Sequence, residues 1–268
     1  MDSANNVRHV LGLSGGKDSA ALAIHIRDTR PDIHKMMEYF FCDTGAELPE
    51  VYNFLDRLED QLGKEIVRLS SGRDFEHHLK RFGNFLPSVR QRWCTRVMKI
   101  EPFERFVGDD KAISYIGIRA DEQREGYISS KPNIVPAFPF KEDGIKRADV
   151  FRILDESVGI PEYYRWRSRS GCYFCFFQRR DEWLALAEEH PDLFERAREF
   201  EKFNSVTGEQ YTWVQGMTLD ELIEKAAQSG NATIRHANND DSRSWQDILR
   251  EDGDDDDPED QSCLICSL

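Results

Sequence analysis

Two sets of residues in this chain carry types and spacings that do chemistry. The first is Ser14-Gly-Gly-Lys-Asp-Ser19, set between an apolar run and an amphipathic one. Adjacent Gly15 and Gly16 let the backbone approach an anion closely, amides at the head of a following helix point toward it, and Lys17 adds charge. Ser14 and Ser19 add hydroxyl donors, so the run reads as a phosphate cradle. A plain strand-to-helix turn would use the same glycines. It is not the G-x-x-x-x-G-K-[ST] loop, because Leu11 stands where that motif needs its first glycine. The second set is Cys172-x-x-Cys175, beside Ser170 and Gly171, with Cys94 far upstream in a separate segment. A C-x-x-C pair alone serves zinc, redox or cluster chemistry equally well. Three thiols from separate segments argue for shared coordination. Structural zinc prefers four protein ligands, and only three are evident.

The surrounding sequence supplies elements to hold both sets. "VRHVLGL" has the character of a buried parallel strand, and Ala20, Leu22, Ala23 and Ile26 follow at helical spacing. The alternation continues: "MMEYFFC" as strand, "VYNFLDRLEDQLG" as helix, "EIVRLS" and "AISYIGIR" as strands, "IVPAFPF" as a short apolar segment, "RADVFRILDESVG" as helix. Strands and helices in this order predict a twisted parallel sheet of about five strands, covered on both faces, with ligands at the carboxyl ends of the strands. From about Tyr163 the strand signal fades into a helical appendage, where Thr218 and Glu221 are spaced as a capping box. The expected division is an α/β nucleotide-binding domain over 1–165, a C-x-x-C segment with helices over 166–250, and an acidic tail over 251–268.

Charge and composition narrow the function. The net charge is −14, and the stretch from Glu251 holds eight acids and no base, more than half of that excess. A chain that coats nucleic acid indiscriminately is excluded, since such binding needs clustered Lys and Arg. Local basic runs nevertheless flank the thiols: Arg90, Arg92 and Arg96, then Arg165, Arg167, Arg169, Arg179 and Arg180. No apolar run reaches the roughly 18 residues of a membrane span, and the first residues lack the apolar core of a signal peptide. A cytoplasmic location follows as the expectation. Cys42 ends a predicted buried strand and reads as an inert core thiol.

The hexapeptide at residues 14–19 resembles the pyrophosphate loop of the ATP pyrophosphatase superfamily, whose members split ATP between its α and β phosphates. "DTGAELPEVYNFLDRLEDQLG" and "GIRADEQREGY" are similar to segments of the phosphoadenosine phosphosulfate reductase (CysH-like) family, and "RWCTRVMKIEPF" with "SGCYFCFF" is most similar to its DndC-like branch. The resemblance spans roughly residues 7 to 180 and implies an adenine nucleotide alpha hydrolase-like fold. It implies ATP and magnesium as cofactors, with Ser14, Gly15, Gly16, Lys17, Asp18, Ser19, Asp43, Thr44, Gly117 and Arg119 around the nucleotide. Lys17, Asp43 and Arg119 then act on the phosphates. Arg119 would pair with phosphate through two parallel hydrogen bonds, while Asp43 would hold magnesium or merely cap a turn. Glu122 and Arg124 are weaker candidates. Cys94, Cys172 and Cys175 become ligands of a 4Fe-4S cluster, with Cys263 or Cys266 in the tail as an alternative nucleophile.

The function expected on this basis is adenylation of an acceptor for sulfur transfer. The acceptor is DNA or tRNA and a sulfur-donor protein is implied, with no membrane partner and no oligomeric state specified. A reductase of adenylyl sulfate or its 3′-phosphorylated form is the alternative, and an accessory protein of a defence or CRISPR-associated operon is a third reading.

Overall fold

The computed structural model describes residues 7–123, 131–201, 203–204 and 209–228. Arg124, Cys263, Cys266 and the acidic stretch from Glu251 lie outside the described residues. The chain opens with β1 (Arg8–Gly12), α1 (Lys17–Thr29), α2 (Pro31–Met36), β2 (Met37–Cys42), α3 (Pro49–Leu62) and β3 (Ile66–Leu69). Next come α4 (Phe75–Arg81), α5 (Trp93–Thr95), a π-helical turn over Arg96–Ile100 and α6 (Glu101–Val107). The sheet is completed by β4 (Ala112–Tyr115) and β5 (Ile134–Ala137), before α7 (Pro139–Glu142) and α8 (Arg147–Asp155). Last are α9 (Arg180–Glu189), α10 (Pro191–Glu199), the short pair β6 (Phe203–Asn204) and β7 (Glu209–Gln210), and α11 (Leu219–Gln228).

The five strands lie in the order β3-β2-β1-β4-β5, and every pairing is parallel. Parallel strands need both faces covered, which is why β1 and β2 read as nearly continuous apolar runs. One face packs Leu11, Tyr39 and Phe41 against α1 and α3; the other packs Val10 and Phe40 against Phe103 and Val107 of α6. Phe40 and Phe103 stack with centroids 4.9 Å apart. Each such fully buried side chain stabilises the fold by roughly 1.5–3 kcal/mol through removal of apolar surface from water. The chain leaves β1 in one direction for β2 and in the other for β4, so the carboxyl end of β1 is the point where strand order reverses.

Element ends follow local chemistry. Asp74 caps α4 by accepting the His77 amide at 2.8 Å. Gly63, at φ 61°, closes α3 in the left-handed conformation. Pro191 divides what reads as one helical run into α9 and α10. Thr218 and Glu221 form the expected capping box, with bonds of 3.1 and 3.0 Å. The helices after residue 165 share one apolar cluster with the sheet: Trp183 of α9, Phe194 of α10 and Leu222 of α11 belong to the same core as Leu11 and Leu13.

No helix among the described residues is long and apolar enough to cross a membrane.

Candidate functional site

The loop after β1 turns at Gly15, where φ is +75° and a Cβ would stand 2.5 Å from Val51 Cγ1. Both the handedness and the space therefore require glycine. Ser14 and Ser19 bridge the loop, their hydroxyls 3.2 Å apart, and Ser19 Oγ also donates to the Gly16 carbonyl at 3.3 Å. Lys17 opens α1 with its side chain buried, its Nζ 3.2 Å from Asp18 Oδ2 and 5.4 Å from the centre of the Tyr164 ring. The loop amides are not all free, contrary to the expectation from sequence. Gly16 N donates to Ser14 Oγ at 3.3 Å and Lys17 N donates to the Tyr164 hydroxyl at 3.0 Å. Tyr163 donates its hydroxyl to the Gly15 carbonyl. The reason is tertiary: the turn Glu162–Arg165 lays two adjacent tyrosines across the loop from 147 residues away.

Arg119 follows β4 at its carboxyl end, as expected, but three carboxylates surround it. Its NH1 stands 3.1 Å from Asp18 Oδ1 and 3.1 Å from Glu122 Oε1, and its Nε stands 3.1 Å from Asp121 Oδ1. The guanidinium and Glu122 are buried. A buried arginine paired this closely fixes the Asp18 and Glu122 carboxylates, and with them the first turn of α1. Gly117 is explained by the same packing, since a Cβ there would meet the Asp18 carbonyl oxygen at 2.8 Å. Asp43 caps its own turn: Oδ1 accepts the Gly45 amide at 2.8 Å and the Tyr52 hydroxyl at 2.8 Å.

Cys172 and Cys175, together with Cys94 from far upstream, line one pocket that opens to solvent. Thr44, Lys99 and Ser170 contribute its polar lining, and Phe174, Phe176 and Phe177 are among its apolar walls. Cys94 comes from α5, and Lys99 from the π-helical turn that follows. Cys172 pairs through its backbone with Glu47, just beyond β2. Its Sγ lies 3.1 Å from Thr44 Oγ1 and donates to Glu47 Oε1 at 3.6 Å. Burial first, and the Glu47 carboxylate second, push this thiol well above its ordinary range.

Among the described residues no group of three or more His, Cys, Asp or Glu is arranged to hold a metal ion. The three cysteines share a pocket without forming a ligating set. Cluster and zinc ligands are thiolates, and burial first and the Glu47 carboxylate second disfavour that form of Cys172. For magnesium, the Asp18 carboxylate is engaged by Lys17 and Arg119, and Asp43 Oδ1 by its turn and Tyr52. The expectations of a 4Fe-4S cluster and of an acidic magnesium site therefore gain no support from the geometry.

The basic flanks divide into two kinds. Arg167 is buried and donates to the Gly171 carbonyl at 3.1 Å and the Cys172 carbonyl at 2.7 Å, so it shapes the cysteine turn. Arg169 is buried with its guanidinium 4.7 Å from the Phe177 ring. Arg179 pairs with Asp181 and Arg96 with Glu101. Arg90, Arg165 and Arg180 are exposed.

The loop and the thiol pocket are joined. Ser170 lines the pocket and donates to Ser14 Oγ at 3.5 Å, and its Oγ lies 2.6 Å from where a Cβ on Gly16 would stand. Thr44 and Cys172 touch within the pocket itself. The family resemblance had pointed to Thr44 and the C-x-x-C spacing to Cys172, but neither pointed to Glu47, Tyr163, Tyr164 or Ser170. The only signal for Ser170 was its small size beside the C-x-x-C pair.

Fold and loop together define a doubly wound α/β protein with a tight glycine loop after its first strand. Within it, residues 8–134 match the family model of the phosphoadenosine phosphosulfate reductase domain, which supports that family for this part of the chain. Two uncharacterized proteins of Methanocaldococcus jannaschii are each 27% identical to it, over 70% and 68% of this chain. The chain spans 40% and 45% of the length of these two relatives. An uncharacterized nin region protein of Escherichia phage lambda is 24% identical over 90% of this chain and 89% of its own. A phosphoadenylyl-sulfate reductase from Candida auris, solved with phosphate, superposes on 56% of this chain and 72% of its own with a TM-score of 0.42 at 16% identity.

Proposed function

We propose that the chain binds ATP at residues 14–19, cleaves it between the α and β phosphates, and adenylates an acceptor that then receives sulfur. The observation that carries this reading is the direct join between the Lys17 loop and the three-thiol pocket through Ser170. Phosphate chemistry and sulfur chemistry are thereby brought to one place. Lys17 and the loop donors would stabilise charge on the departing pyrophosphate. An acceptor oxygen attacks the α phosphorus and pyrophosphate leaves. A sulfur species held in the thiol pocket, supplied by a donor protein, then displaces AMP. Arg90, Arg165 and Arg180 are exposed and suit an anionic acceptor such as DNA or tRNA. The test is AMP and pyrophosphate release from ATP by the wild-type chain, with and without nucleic acid, beside a Lys17→Ala variant. ATP that is bound but never cleaved, with any acceptor, sinks the adenylation step.

The match of residues 8–134 to the phosphoadenosine phosphosulfate reductase domain favours a second reading, reduction of adenylyl sulfate or its 3′-phosphorylated form. Here the nucleotide would occupy the same loop without cleavage of an α–β bond; a thiol would attack the sulfate sulfur, expelling the nucleotide and leaving an S-sulfonate, and a second thiol, supplied as a dithiol reductant, would displace sulfite and form a disulfide. Sulfite release from either sulfonucleotide, in place of pyrophosphate release from ATP, selects this reading.

A further inference from the structure

The segment 168–179 carries Ser170, which joins the pocket to the loop at Ser14, together with Cys172, set against Thr44, and Cys175 in the pocket wall. Its two ends meet at one carboxylate. Glu182, in the first turn of α9, is completely buried. Its Oε1 accepts both the Ser168 amide and the Ser168 hydroxyl at 2.7 Å, and its Oε2 accepts the Arg179 amide at 2.9 Å. The bond to Arg179 is ordinary capping, in which a side chain in the first turn closes back on the residue before the helix. The bonds to Ser168 are not required by the helix. They reach across to the start of the segment and close it into a ring around the cysteines.

We propose that Glu182 is a positioning residue for the joined loop and thiol pocket, holding both ends of segment 168–179 so that Ser170 stays on Ser14 and Cys172 stays on Thr44. The proposal rests on reading the loop and the pocket as one site. Arg167 ties the middle of the same segment through the Gly171 and Cys172 carbonyls and the Tyr173 amide bonds the Ala46 carbonyl, while Glu182 holds its two ends at the base. A carboxylate with both oxygens engaged by donors suits this task, because neither bond can be surrendered without leaving a buried charge unsatisfied. Glutamine at this position keeps one acceptor but turns a donor toward one of the two amides.

The experiment compares full-length wild type, Glu182→Gln and Glu182→Ala. Alkylation of Cys172, Cys175 and Cys42 by iodoacetamide, without nucleotide, is followed by peptide mapping, and ATP affinity is measured separately. Cys42 lies in β2 and reports general loosening of the fold. In Glu182→Ala, Cys172 should react at least about tenfold faster relative to Cys42, as expected for local opening, with Glu182→Gln between it and wild type. Equal acceleration at Cys42 and Cys172, or an unchanged Cys172 rate in a folded variant, overturns the proposal. If Glu182→Ala does not fold, Ser168→Ala removes only the hydroxyl bond. It must still raise the Cys172 rate over that of Cys42, and no change overturns the proposal. Failure of the wild-type chain to bind ATP would sink the ATP reading of the loop while leaving the thiol comparison intact.

Discussion

Ser170 holds its hydroxyl 3.5 Å from that of Ser14, 156 residues earlier in the chain. That single approach places the end of β1, where phosphate binds in doubly wound sheets, against a pocket lined by three cysteines. The consequences below separate the loop, its packing and its thiols by measurement.

Lys17→Ala should weaken ATP binding at least tenfold. The side chain is buried beside Asp18 and Tyr164, and a charge-assisted contact to phosphate contributes about 1.5–3 kcal/mol. Asp18 keeps Arg119 as a partner at 3.1 Å, so the variant should fold. Calorimetric titration with ATP checks this; undiminished affinity in a folded variant rules out the loop as the phosphate site.

Gly117→Ala should lower stability by about 1–3 kcal/mol, the cost of forcing a methyl group into packed structure. The new Cβ would meet backbone, the Asp18 carbonyl oxygen at 2.8 Å and its carbon at 3.0 Å, and the first turn of α1 would have to shift. Urea unfolding measures the loss. A variant of wild-type stability with weakened ATP binding would instead make Gly117 a nucleotide contact.

Tyr163→Phe should cost about 1 kcal/mol, because the Gly15 carbonyl loses the buried hydroxyl that donates to it. On the proposed reading ATP affinity should fall with it, since the same carbonyl anchors the turn of the 14–19 loop. Paired unfolding and binding measurements test the link; a stability loss with no change in affinity would uncouple the tyrosine from the loop.

Stability should fall at alkaline pH partly through Cys42. Burial pushes this thiol up to about 12, above the usual thiol value near 8.5. The folded chain keeps a proton that the unfolded chain loses, so the stabilising contribution is complete below about pH 8.5 and is lost as pH rises toward 12. The unfolding free energy of wild type relative to Cys42→Ala should drop by up to about 1.4 kcal/mol per pH unit across that window. Parallel curves between about pH 7.5 and 10.5 would refute it.

Much of the fold was legible in the sequence because it depends on local periodicity. The apolar runs at β1 and β2, the helical spacing after Asp18 and the capping box at Thr218 and Glu221 each follow from residues within one element. The parallel order also follows, since alternating strands and helices leave few other topologies. The glycine pair of the loop was legible as a turn signal, and folding adds a second reason for Gly15: besides its left-handed φ, a Cβ there would meet the Val51 side chain.

What only the tertiary structure decided is who faces whom across long separations. Arg119 reads in sequence as a phosphate clamp, yet folding surrounds it with Asp18, Asp121 and Glu122. Arg167 and Arg169 read as a basic patch and are buried, one on the cysteine turn and one on Phe177. Periodicity carries no information about a carboxylate such as Glu182 that closes a segment, or about tyrosines that reach a loop 147 residues away. Those contacts are set by the packing of the later helices on the sheet, where one buried core fixes the position of every loop that crosses its edge.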